Sequence, residues 1–204
     1  MSNYSPVFSQ WGFPVELGQP LIIAGPCSAE SREQLLLTAN AIRSYPVHLF
    51  RAGIWMPRSH GETSAGIGNA ALDWLQEVRQ ETGFKLAVEV ATPQQLKKVL
   101  RADIDVLWIG ARTTVNPFAV QELANALAGI DKPVLVKNPI TPELGIWFDA
   151  MERLQNKGVK KLGVILRGFV HRQPSKWRFE PEWELARKFR NEFPSLPYIC
   201  DPSR

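Results

Sequence analysis

The chain has 204 residues, 45% of them apolar and 22% charged, with a formal net charge of +4. That is enough chain for one sizeable core, most simply a single domain, and the mild positive balance only weakly favours anionic partners. No apolar stretch approaches the ~18 residues of a membrane span, and residues 1–18 lack the basic-then-apolar order of a secretory leader; a cytoplasmic protein is expected, with no membrane or nucleic-acid partner.

Leu21, Ile22, Ile23 and Ala24 form an apolar run that stops at Gly25-Pro26, the pattern of a strand buried on both faces. The stop puts Cys27 and Ser28 on a loop leaving the strand's C-terminal end. Parallel sheets and barrels carry their chemistry at that edge. Ahead of the run, residues 1–18 show little periodicity and are expected to form an extension packed across one end of the core. Beyond it, Ser31 and Gln34 fit a capping box, opening a helix with Leu35, Ala39 and Ile42 on one face. A second strand at 47–50 runs into Arg51-Ala52-Gly53. The loop from 54 to 68 carries Pro57, Arg58, Ser59 and His60, and its length marks it as functional or mobile.

From there the pattern is regular. Asn69 is placed to cap a helix bearing Leu72, Leu75 and Val78, which stops at Gly83 and gives way to a strand at 86–90. Thr92-Pro93 and Asn116-Pro117 each open a helix, an N-cap side chain followed by proline at the first helical position. A strand at 106–109 separates them. Another at 134–136 precedes a helix started by Thr141-Pro142 and ending at Gly158. A strand at 162–166, a basic loop through His171 to Arg178, a helix at 182–190 and a strand at 198–200 complete the series. Such alternation predicts a parallel sheet covered by helices. An open doubly wound sheet would favour a GxGxxG turn after its first strand, and Gly25-Pro26-Cys27 is not one. A (β/α)₈ TIM-type barrel is therefore expected. It closes with eight strands, whereas the pattern supplies seven: either the extension substitutes, or the last βα unit is lacking.

The strand ends carry Cys27, Arg51, Glu89, Arg112, Lys137, Arg167, and Asp201 with Arg204. One such charge is ordinarily a solvated loop residue. Four basic residues, each expected to end an apolar strand, point instead to one axial site, and their donors suit phosphate and carboxylate oxygens. A small phosphorylated or multiply anionic metabolite is the expected ligand. For Cys27 the common fate is a small buried hydrophobe. As a nucleophile it would want a histidine, and His48, His60 and His171 do not directly follow strands. As a metal ligand it would need companions from later strands. Cys200 is expected in the core, as are Trp74, Trp147 and Trp183 on their helices, while Trp108 lies within a strand. The two cysteines lack CxxC spacing and form neither a disulfide framework nor a zinc knuckle.

These residues also carry a resemblance. IAGPCSAES at 23–31, FRAGIWMPRS at 50–59, WIGARTT at 108–114, LVKNP at 135–139, ILRGF at 165–169 and ICDPS at 199–203 resemble the 3-deoxy-D-arabino-heptulosonate 7-phosphate (DAHP) synthases of the type I/KDO-8-phosphate synthase superfamily. The wording is most similar to members fused to a chorismate mutase domain, and the match runs from 19 to 203, so residues 19–204 form the expected barrel domain. The resemblance implies a (β/α)₈ barrel that condenses phosphoenolpyruvate with erythrose 4-phosphate, the entry step to aromatic amino acids. It implies that Arg112 and Lys137 hold the phosphoenolpyruvate phosphate with the Ala111 backbone, that Arg51 and Arg167 surround the same substrate, and that Arg58 and Ser59 grip the aldose phosphate. Arg58-Ser59 disfavours KDO-8-phosphate synthase. Cys27 matches a thiolate ligand of a divalent metal (Mn, Fe, Zn or Co), a Lewis acid for the aldehyde carbonyl. Three departures accompany the match. Met56 replaces the lysine of K-P-R-[ST], Arg204 replaces the metal-binding histidine of D-P-S-H, and the remaining metal ligands of the family lie beyond residue 204. The expectation is thus a DAHP synthase fragment, or an inactive relative that binds phosphate ligands or associates with a full-length paralogue; a homo-oligomer is the other expected assembly.

Overall fold

The computed structural model describes residues 6–55, 66–171 and 179–202. The chain divides into two compact units, one of Met1–Val90 with Lys97–Leu107 and the other of Ala91–Leu96 with Trp108–Arg204.

The first unit contains α1 (Pro6–Gln10), β1 (Ile23–Ala24), α2 (Arg32–Ile42), β2 (Leu49–Ala52), α3 (Ala70–Thr82) and β3 (Lys85–Val90). β1, β2 and β3 pair in that order and in parallel, with Ile23 opposite Leu49 and Arg51 opposite Ala87. The extension does have a period. Trp11, Phe13 and Val15 are buried while Gly12, Pro14 and Glu16 are exposed, and the Lys85 ammonium lies 5.5 Å from the centre of the Phe13 ring. Three side chains at spacing two thus anchor the segment beside the N-terminal end of β3. Ser31 caps α2 by accepting from the Gln34 N–H at 3.0 Å. The Gln34 carboxamide accepts from the Glu30 N–H at 2.9 Å instead of the Ser31 N–H, so the expected box is displaced by one residue. Asn69 makes no side-chain cap, because it already has helical dihedrals (φ −64°, ψ −35°) that point its side chain away from the first-turn amides.

The boundary between the units falls within α4 (Pro93–Arg101) and β4 (Val106–Ile109). The second unit continues with α5 (Ala111–Thr114), α6 (Pro117–Leu127), β5 (Val134–Lys137), α7 (Leu144–Asn156), β6 (Leu162–Leu166), α8 (Trp183–Glu192) and β7 (Tyr198–Cys200). β5, β6 and β7 are parallel neighbours, with Lys137 opposite Ile165 and Ile165 opposite Ile199. Asn116 caps α6 by accepting from the Phe118 and Ala119 N–H groups, both at 3.1 Å. Thr141 does not start α7. Its hydroxyl donates to the Glu143 carboxylate at 2.9 Å and the helix begins three residues later. Trp147 is fully buried, stacked at a tilt on Phe189 with ring centres 3.9 Å apart.

The seven strands follow sequence order through the sheet, as the parallel βα repeats of a TIM-type barrel require. Strand position in that order decides burial. β4, β5 and β6 are buried at every residue. β1 and β7 terminate the order, and their residues are half-buried or exposed. Two expectations fall for that reason: the run at 21–24 is not enclosed on both faces, and Cys200 is exposed. Trp183, the first residue of α8, is 59% exposed and is likewise not a core residue.

Candidate functional site

In the second unit the strand register builds the site. Side chains alternate faces along a strand, so Leu135 and Lys137 share one face of β5. Their neighbours Gly163 and Ile165 on β6, and Ile199 on β7, share it too. One alternation further along are Arg167 and Asp201. The Asp201 N–H donates to the Leu166 carbonyl at 2.8 Å, carrying the ladder past β7 and holding its side chain at this level. Lys137, Arg167 and Asp201 are therefore placed on one face at the C-terminal ends of three adjacent strands. The Lys137 ammonium donates to the Asp201 carboxylate at 3.0 Å, with the two side chains only 11% and 17% exposed. It also lies 5.9 Å from the centre of the Trp108 ring, which comes from β4. A buried ammonium needs such partners, because desolvation without them is costly.

Two polar residues lock the backbone beneath these charges. Asn138 is fully buried. Its amide donates to the Pro139 and Gly168 carbonyls at 2.7 and 2.8 Å and its oxygen accepts from the Arg167 N–H at 2.7 Å, tying the end of β5 to the residue after β6. Gly168 follows with φ +90°, and a Cβ there would meet the Glu180 carbonyl oxygen at 2.6 Å; the close approach admits only glycine. The buried Thr114 hydroxyl, 3.0 Å from the Lys137 carbonyl and 3.1 Å from that of Gly110, fastens α5 onto the end of β5. Sequence reasoning assigned neither Asn138 nor Thr114 a role. A short amide residue between a strand's last charge and a proline was the available signal, since asparagine can donate and accept within a few residues of its own backbone.

The basic residues do not all end their strands directly. Lys137 and Arg51 are the last and the third residue of β5 and β2, and only Arg167 follows its strand at once. Arg112 is exposed on α5, one turn beyond β4, behind a buried Ala111 at the first helical position. That turn was not foreseen, because a four-residue helix is too short to show a period. The Arg167 guanidinium stacks on the Phe179 ring at 3.8 Å, an arrangement that fixes its plane.

The first unit offers a different set. Gly25 has φ +139°, and a Cβ there would sit 2.1 Å from the Arg51 carbonyl oxygen. β1 and β2 meet closely at that point. The Arg51 guanidinium reaches back to the Pro26 carbonyl at 3.0 Å, and Ser28 bridges Gly53 in parallel. Glu89 shares the β3 face of Ala87, the register partner of Arg51. Cys27 is exposed on the resulting loop, which corrects the reading of it as a buried hydrophobe. Among the described residues no three His, Cys, Asp or Glu side chains stand close enough together to hold a metal ion, and the Asp201 carboxylate is engaged by Lys137. Among the described residues, Cys27 lacks the companion ligands that a divalent metal needs. Met56, Arg58, Ser59 and Arg204 lie outside the described residues.

Residues 16–176 match the model of the DAHP synthetase I family. The chain belongs to that family. It is 31% identical over 147 residues to the phospho-2-dehydro-3-deoxyheptonate aldolase of Thermotoga maritima, covering 72% of this chain and 42% of that one. It is 33% identical over 134 residues to the 2-dehydro-3-deoxyphosphooctonate aldolase of Methylobacillus flagellatus, covering 62% and 46%. The crystal structure of the Thermotoga maritima DAHP synthase superposes with a TM-score of 0.77 at 28% identity, over 92% of this chain and 52% of that one. A truncated form of the Thermotoga maritima synthase gives 0.73 at 26% identity. The chain thus spans about half the length of the curated relatives it matches. The likeness in fold covers 92% of this chain, so the TIM-type architecture holds for this family member.

Proposed function

We propose that this chain is a DAHP synthase-like protein whose second unit binds phosphoenolpyruvate. Arg112 and Lys137 take the phosphate together with the Ala111 N–H, and Arg167 takes the carboxylate side of the same substrate. The family resemblance assigns Arg51 to the same substrate, and Arg58 and Ser59 to the phosphate of erythrose 4-phosphate. The observation carrying this reading is the register of β5, β6 and β7, which sets a buried lysine and a ring-stacked arginine on one sheet face at the strand ends. Guanidinium forks and ammonium groups at that edge suit phosphate and carboxylate oxygens.

The condensation with erythrose 4-phosphate is the family reaction, and this chain departs from it at two named positions. Met56 supplies a thioether where the motif has an ammonium, and Arg204 a guanidinium that never deprotonates to ligate a metal. The proposal is accordingly a chain that retains the binding half of the reaction and has lost the carbon–carbon bond-forming half. Titration calorimetry tests the first part: phosphoenolpyruvate should bind, and Arg112→Ala should weaken it by about 1.5–3 kcal/mol, the loss of a charged hydrogen bond. Equal affinity in both proteins would refute the assignment. Phosphoenolpyruvate consumption with erythrose 4-phosphate and manganese tests the second, with no turnover expected. Met56→Lys alone should not restore it.

A further inference from the structure

Resting on that reading of the site, we infer that Asp201 is a built-in placeholder for the anionic ligand. Its carboxylate occupies the Lys137 ammonium in the ligand-free protein and must give it up when an anion binds. Lys137 is nine-tenths buried at the last position of β5, so its charge requires a counter-ion whether or not ligand is present. The Asp201 Oδ2 supplies one at 3.0 Å. A phosphate oxygen seeking the same ammonium arrives as a second negative charge beside that carboxylate, and like charges at such range repel strongly where water is largely excluded.

Asp201 is also placed to yield. It is the first residue after β7, the strand that ends the sheet order, and that strand is half-buried or exposed, unlike the wholly buried β5 and β6. Its N–H is held by the Leu166 carbonyl, so the backbone stays in register while the carboxylate turns about its side-chain bonds. The Lys137 backbone is pinned as well, by Thr114 and beside the Asn138 amide network, and its side chain runs out of a wholly buried strand past the Trp108 ring, which encloses it. The movable partner is the acid. Asp201 thus sets the affinity for anions and the discrimination between them. A dianionic phosphate displaces the carboxylate, whereas a monoanion of the same size competes with it on equal terms.

The prediction runs against the usual effect of removing a charged group from a binding site. Asp201→Asn should bind inorganic phosphate and phosphoenolpyruvate about tenfold more tightly than the wild type, and Asp201→Glu, which keeps the charge, should not. The ligand-free Asp201→Asn protein should melt at a lower temperature, because Lys137 has lost its counter-ion, and saturating phosphate should raise its melting temperature more than the wild type's. Should Asp201→Asn fail to fold without ligand, recovery of a cooperative transition in phosphate supports the inference, and its failure to recover overturns it. Unchanged or weaker binding in Asp201→Asn, beside measurable binding in the wild type, overturns the placeholder role and leaves the phosphoenolpyruvate reading standing. No binding by either folded protein overturns both.

Discussion

The ends of β5 and β6 and the ends of β1 and β2 occupy equivalent places in the βα repeat, yet they are built to different standards. At β5 and β6 every strand residue is buried. Asn138 joins the two ends with its whole side chain, and the lysine above them has a carboxylate partner and an aromatic face. At β1 the strand is two half-buried residues long. The loop beyond it carries an exposed thiol, and Arg51 is held by a backbone carbonyl. For β1 the difference follows from neighbours, since it ends the sheet order whereas β5 and β6 do not. A strand flanked on both sides is desolvated, so its polar groups must be paired within the protein; a strand at the end of the order meets water and tolerates unfinished arrangements. The residues proposed to bind phosphoenolpyruvate, Lys137 and Arg167, lie in the finished region, and the exposed Cys27 thiol lies in the unfinished one.

The sharpest way to break this contrast is at Asn138. Replacing it with alanine leaves buried donors and acceptors at the β5 and β6 ends unsatisfied, and about 3–5 kcal/mol of stability should be lost, measurable as a shift in urea midpoint. A loss under about 1 kcal/mol would mean that the amide network decorates the site without holding it. Gly25→Ala attacks the other end of the comparison. The new Cβ would collide with the Arg51 carbonyl at a dihedral that L-residues avoid, and about 1–3 kcal/mol should be lost. Amide exchange should accelerate at 22–29 and 48–53 while β5 and β6 stay protected. Uniform acceleration would show that β1 is as integral to the fold as they are.

Alkaline pH probes β7, the other strand that ends the sheet order. Burial holds the Tyr198 phenol well above its ordinary range, with Arg190 pulling it partly back. The folded value is raised, so this contribution to stability is full below the ordinary phenol value of about 10 and declines as pH rises past it, because only the unfolded chain then releases the proton. The urea midpoint should begin to fall at about pH 10, where a free phenol titrates, and keep falling above it towards the raised folded value, and Tyr198→Phe should flatten that fall. Smallest of all, Cys200→Ser should change stability by no more than about 0.5 kcal/mol, since the side chain is exposed. A large loss would place Cys200 in a core after all.

The order of elements was legible in the amino-acid sequence, because each helix and strand writes its own period and punctuation. β4 and β6 appear where the apolar runs predicted, and Asn116 and Thr92 cap their helices as their positions before proline required. Lys137 and Arg167 could be singled out from the sequence too, since they stand at the ends of apolar runs within the segment that matches the family. The tertiary structure alone decided which of these groups meet. Whether Lys137 faces Asp201, 64 residues away, depends on the register of β5, β6 and β7, and register is set between strands rather than within one. Burial followed the same logic. The run at 21–24 and the strand holding Cys200 are as apolar as those at the centre, but their exposure was fixed by standing last in the sheet, and a strand's own residues do not record how many neighbours it has.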